Sequence, residues 1–264
     1  MGGLFLVSAI SLFVGYNVWT HRHMTWLRFH YLPFTLPSED LGIAPYYALY
    51  HKLDEADKRK FQWRAFYFLN TTTIKFKKFH GYARKDKEKI RHLLASVAAQ
   101  MTLFLPEKCF LMIHTILVYP EAYYSRFSKK YHKGETNPAA GMIALSWTGI
   151  AEGIESPVDG LNLIIHEYAH ALWLEHATAR YRTFDPAAAD RFHAAAIKEL
   201  AEAVGKEDHF FREYGLSNFH EFFAVAAENF FERPLEFEKR LPNIYSAMVE
   251  LYQQDPNRIN LPRV

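Results

Sequence analysis

The chain has 264 residues, half of them hydrophobic, which is enough for one sizeable domain with its own core and a small appendage. Its formal net charge of +2 and pI near 8.4, with acids interleaved among the basic residues, exclude a dedicated nucleic-acid surface. The lone cysteine, Cys109, cannot close an internal disulfide and reads as a small buried hydrophobe.

Residues 4–19 (LFLVSAISLFVGYNVW) are apolar, and no charge occurs from Met1 to Thr20. A spanning helix needs about 17–25 residues, so residues 1–20 are expected to form an N-terminal membrane anchor helix. There is no basic start and no small-x-small cleavage site of a secretory signal. Arg22 and Arg28 follow, which places the rest of the chain on the cytoplasmic side. Residues 21–52, aromatic and with Pro33, Pro37 and Pro45, read as an extended tether packing on a domain that covers residues 53–264.

Helices are predicted over Leu53 to Leu69 and Lys85 to Leu105, the second carrying the stripe Ile90, Leu93, Leu94, Val97, Ala98 and Met101. The basic clusters Lys75 to Lys78 and Arg84 to Lys89 read as solvated faces. Phe110 to Tyr119 and Gly141 to Trp147 read as strands, Tyr123 to Asn137 and Gly149 to Gly160 as loops. Asp185 and Pro186 open a helix that ends near Gly205, and Ser217-Asn218 opens another that runs to Pro234. A last helix is expected over Leu241 to Gln254. The fold class is therefore α+β, mostly helical with a small sheet.

The apolar run Leu161 to Ile165 leads into His166-Glu167-Tyr168-Ala169-His170, the pattern H-E-x-x-H, with Asp159 as the expected helix cap. Residues four apart lie about 40° apart around a helix, so His166 and His170 share a face and can hold one zinc ion. Glu167 points elsewhere, as a general base acting on water requires. A catalytic zinc site commonly has three protein ligands. His176 has the spacing of a longer zinc motif, but that motif breaks the helix with a glycine where this chain has Trp173. Glu221 is the better third ligand: it stands among Phe219, Phe222, Phe223 and Val225, where an unpaired carboxylate is costly. Its competing use is a capping box with Asn218. Glu228, seven residues on, could orient a ligand histidine. Tyr214 could donate to an oxyanion.

These residues carry a family likeness. Leu117-Val118-Tyr119-Pro120, Gly141 through Ser146-Trp147, Asp159 to Asn162 before the H-E-x-x-H, Glu221 to Val225 with Glu228, Phe230 and Phe231, and Tyr252 to Pro256 occur in family order. The chain resembles the zinc peptidases of the Mlc titration factor A family. The resemblance implies a zincin-like domain with His166, His170 and Glu221 as zinc ligands, Glu167 as general base and Tyr214 as the active-site tyrosine. It also implies hydrolysis of peptides, chiefly of the aminopeptidase type, and in some members binding of a transcriptional repressor. The chain departs from the family in having Leu172-Trp173 where Leu-Asp is usual, and in its apolar N-terminus. The reading is a membrane-tethered zinc metallopeptidase. Its rival is a zinc-containing regulatory protein that binds a partner such as a repressor, with little catalysis.

Overall fold

The computed structural model describes residues 49–125, 128–178, 182–204 and 208–259. The expected anchor at residues 4–19 and the tether up to residue 48 lie outside them; residues 49–52, the tether's end, are helical. Among the described residues no helix is long and apolar enough to cross a membrane.

In chain order the elements are α1 (Glu55–Thr71), β1 (Thr73–Phe76), α2 (Arg84–Thr102), β2 (Thr115–Tyr119), β3 (Tyr123–Ser125), β4 (Lys130–His132), β5 (Gly134–Asn137), β6 (Met142–Ser146), α3 (Trp147–Glu155), α4 (Leu163–Ala177), α5 (Pro186–Ala203), α6 (Phe219–Glu232), α7 (Pro234–Arg240) and α8 (Pro242–Tyr252). Most of the described chain is helical, and the sheet is small and mixed. Its order is β1-β2-β6-β5, with β1, β2 and β6 parallel and β5 antiparallel to β6 at one edge. β3 and β4 form a separate antiparallel pair.

Helices cover the parallel strands. Ile116 and Val118 of β2 and Ile143 and Leu145 of β6 are fully buried. α2 crosses from β1 to β2 and buries the predicted stripe from Ile90 to Met101. α4 packs its own apolar residues, Ile164, Ile165, Tyr168, Ala169 and Leu172, into the same core. Tyr168 meets Phe68 of α1 and Phe110 at 5.5 and 5.0 Å between ring centroids.

Several expectations need correction. The strand expected from Phe110 begins only at Thr115, because Phe110 takes a left-handed conformation (φ 60°) and its carbonyl accepts from Ile113 N in a turn. The buried Glu175 of α4 holds that turn by accepting from Met112 N at 3.1 Å. The segment Tyr123 to Asn137 is not a loop but supplies β3, β4 and β5. Its strands are three or four residues long and half-exposed, so no hydrophobic alternation marks them. Gly149 to Gly160 is also more than a loop: its first half completes α3, capped by the Ser146 hydroxyl, which accepts from Gly149 N. Gly149 and Gly153 look like helix breakers, yet Gly153 serves close packing, since a Cβ there would lie 2.9 Å from Leu161 O. Pro234 does not simply end α6; it opens α7.

Candidate metal centre

α4 begins at Asn162, not at Asp159. The Asn162 side chain accepts from Ile164 N and Ile165 N, both at 3.1 Å, while Asp159 Oδ1 accepts from Leu161 N at 2.8 Å. From that cap the helix places His166 one turn in and His170 one turn further. Their Nε2 atoms face each other at 3.2 Å. The helix runs unbroken through Trp173 to Ala177. His176 is therefore carried away from the pair; its Nδ1 accepts from Phe184 N at 3.4 Å and its ring packs on Phe184 and Trp173. Trp173 is buried among Phe219, Phe223, Phe192 and Phe184 at 4.8 to 6.2 Å, so it joins α4 to α5 and α6.

Glu221 stands in the first turn of α6. Asn218 caps this helix by accepting from Glu221 N at 3.1 Å, so half of the capping-box reading holds. The carboxylate itself turns to the imidazoles: Oε2 lies 3.1 Å from His166 Nε2 and 3.5 Å from His170 Nε2. Tetrahedral ligands at about 2.0–2.1 Å from a metal stand about 3.3 Å apart, which is the spacing of these three atoms. Among the described residues this trio is the group of His, Cys, Asp or Glu side chains able to hold a metal ion.

The residues present fit a cation on independent grounds. Glu221 Oε2 is buried and receives no well-directed hydrogen bond. Burial pushes the Glu221 carboxyl up, but His166 and His170 outweigh it and hold it well below the usual carboxylate range. Burial likewise opposes a charged His166, but Glu221 and Glu228 outweigh that and lift it to about 10. Two facing imidazole nitrogens and a buried carboxylate thus hold on to positive charge, whether a proton or a metal.

Around the trio stands a second set of contacts. Glu228 Oε1 lies 2.7 Å from His166 Nδ1, which fixes the tautomer that turns the Nε2 lone pair inward. Glu228 is fixed in turn by Asn162 N at 2.7 Å and by Arg212, whose Nη2 donates to Oε1 at 2.7 Å and Nη1 to Oε2 at 3.3 Å. Sequence reasoning missed Arg212, which stands outside any periodic or motif-bearing segment. Glu167 is buried beside the edge strand: the Thr136 hydroxyl lies 2.8 Å from its Oε2, and a Cβ on Gly134 would come within 2.5 Å of its Oε1. Burial pushes the Glu167 carboxyl up, against the pull of the two histidines and Thr136. Tyr214 sits in the 3-10 turn Glu213–Leu216, 6.0 Å from His166 between ring centroids and 55% exposed. Burial and the nearby Glu221 raise its phenol to about 12, so it keeps its proton at neutral pH.

The Asn162 cap also carries a testable strain. Its Nδ2 donates to Glu232 Oε1 at 2.8 Å, while Glu232 Oε2 is buried with no partner. Burial lifts this carboxyl from 4.5 to about 7, with Asn162 opposing. The folded state holds that proton to higher pH than the unfolded chain, so stability falls as pH rises from about 4.5 to about 7, and the deficit is complete above that window. Glu232→Gln is therefore expected to be more stable than wild type at pH 8, by up to about 3 kcal/mol. Chemical denaturation at pH 8 and pH 4.5 checks it: the gain should vanish at the lower pH.

The model of the glucose-regulated metallo-peptidase M90 family matches residues 37–253. The chain belongs to that family. Mlc titration factor A of Edwardsiella ictaluri is 33% identical over 165 residues, which is 54% of this chain and 61% of that protein. Mlc titration factor A of Escherichia coli O1:K1 / APEC is 36% identical over 124 residues, 44% of this chain and 46% of that protein. An uncharacterized protein of Synechocystis sp. is 27% identical over 186 residues, 64% of this chain and 68% of that protein. The chain thus spans about half to two thirds of the length of these relatives. The matched M90 segment contains the whole His166, His170 and Glu221 group together with Glu167, Arg212, Tyr214 and Glu228.

Proposed function

We propose that this protein is a zinc peptidase, in which His166, His170 and Glu221 hold the ion and Glu167 is the general base. The observation that carries the reading is the convergence of three donor atoms from two helices, with a buried carboxylate one residue after the first histidine. When bound, zinc supplies Lewis acidity, which makes water a better nucleophile at neutral pH and polarises a carbonyl. Glu167 takes a proton from the attacking water at its carboxylate and passes it to the leaving amine. Its raised pKa suits both halves of that transfer. The Tyr214 phenol donates to the oxyanion as the carbonyl carbon becomes tetrahedral. Glu228 and Arg212 hold His166 in the ligating tautomer. β5, the sheet's edge next to Glu167, offers backbone groups to an extended peptide.

The apolar residues 4–19 anchor this domain to a membrane in the same proposal, with the body on the cytoplasmic side; the uncharged start and the later Arg22 and Arg28 support it. A second use, titration of a repressor-type partner, is supported by the name of the Edwardsiella and Escherichia relatives. A peptide pool separates the two. Protein stripped with a chelator is expected to cleave nothing, and zinc restored at one ion per chain is expected to bring cleavage back. No cleavage in either state leaves the partner-binding reading.

A further inference from the structure

A cavity of about 440 Å³ adjoins the metal ligands on one side: His166 and Glu167 are in its wall, whereas His170 and Glu221 are not. On the proposed mechanism Glu167 delivers its proton to the leaving amine, so the residue that carries this amine lies on the Glu167 side. The cavity is the space open on that side.

The lining says which side chain fits. Its cations, Lys133 and Arg212, are already matched, while Asp159 Oδ1 accepts only from Leu161 N at 2.8 Å. Lys133 Nζ reaches both carboxylate oxygens of Glu152, at 2.9 and 2.7 Å. Arg212 is spent on both oxygens of Glu228 and on Gly160 O at 2.9 Å. An acidic substrate group would have to break one of these pairs. The large side chains open to a ligand are apolar: Leu161 is 50% exposed and Tyr131 74% exposed, both facing solvent at the same opening, with Leu163 half-buried between Gly134 and Gly149. Exposed apolar surface gathered beside a catalytic carboxylate is covered when substrate binds. The volume takes one large side chain together with its backbone.

We propose that this cavity selects a large apolar residue, such as phenylalanine or leucine, on the leaving-amine side of the scissile bond, and that Leu161 is a specificity-determining part of its wall. The inference rests on the peptidase reading above. It is tested with peptides Ala-Ala-Xaa-Ala-Ala, where Xaa is Phe, Leu, Gly, Asp or Lys, and with cleavage positions read by mass spectrometry. For the bond before Xaa, zinc-loaded wild type is expected to show a kcat/KM at least about tenfold higher for Phe than for Gly, the discrimination an apolar pocket can supply. Leu161→Asp is expected to reduce that ratio about tenfold. Val158→Asp adds the same charge three residues away, outside the cavity wall, and is expected to leave the ratio as it is. If wild type cleaves none of these peptides, the peptidase reading falls. Calorimetry of the same peptides on zinc-loaded Glu167→Gln still reads the cavity's preference without turnover. Equal affinities across the series, a preference for Asp or Lys, or a Phe-to-Gly ratio that Leu161→Asp does not change would overturn the proposal.

Discussion

Glu167→Gln is expected to keep its metal and to lower peptide hydrolysis by about 10³-fold, with the loss in kcat rather than in KM. Glutamine has the shape of the carboxylate it replaces. It can still accept from the Thr136 hydroxyl, which lies 2.8 Å from Glu167 Oε2, and it still fits against Gly134. What it lacks is the ability to take a proton from water and return it to the leaving amine. The two measurements go together: metal content of the dialysed variant, and steady-state kinetics on one cleaved peptide. Loss of metal along with activity would make Glu167 a structural support of the ligands. Undiminished turnover would remove it from the chemistry.

Glu221→Ala is expected to act on the other half of the site. It removes one of three donors, and the two histidines left on α4 make a much weaker site, so zinc that survives dialysis in wild type should be lost from the variant. The substitution costs the scaffold little, because Asn218 caps α6 through the Glu221 backbone N–H and not through its side chain. The variant should therefore fold. A thermal melt reads the difference: added zinc raises the melting temperature of wild type by binding the native state, and should raise that of Glu221→Ala far less. A variant that binds zinc as tightly as wild type would exclude Glu221 as a ligand.

What could be read from the sequence and what could not divide along physical lines. The helix starts at Asp185-Pro186 and at Asn218 are local chemistry, a capping side chain next to its helix, and the structure has both where expected. The pairing of His166 with His170 follows from helical geometry alone. The approach of Glu221 to them depends on how α4 and α6 pack, yet a carboxylate among phenylalanines already signalled a buried partner. The short strands β3 to β5 left no such trace, since so few residues cannot show alternation, and β5 is the strand that lies beside Glu167. Arg212 was invisible for a different reason. Its partner Glu228 is a helix away, and nothing near Arg212 in the chain requires a cation. Trp173 was read as a missing carboxylate. The structure shows instead an aromatic joint between α4, α5 and α6, with Phe219 of that joint two residues from Glu221.

The proposed centre is three side chains closing around one divalent ion. X-ray absorption at the zinc edge of the full chain, loaded with one equivalent, tests this most directly. The prediction is a first shell of nitrogen and oxygen donors at about 2.0–2.1 Å, with the multiple scattering of two imidazoles and no sulfur. A first shell with fewer than two imidazoles, or zinc that never binds at one ion per chain, would contradict it.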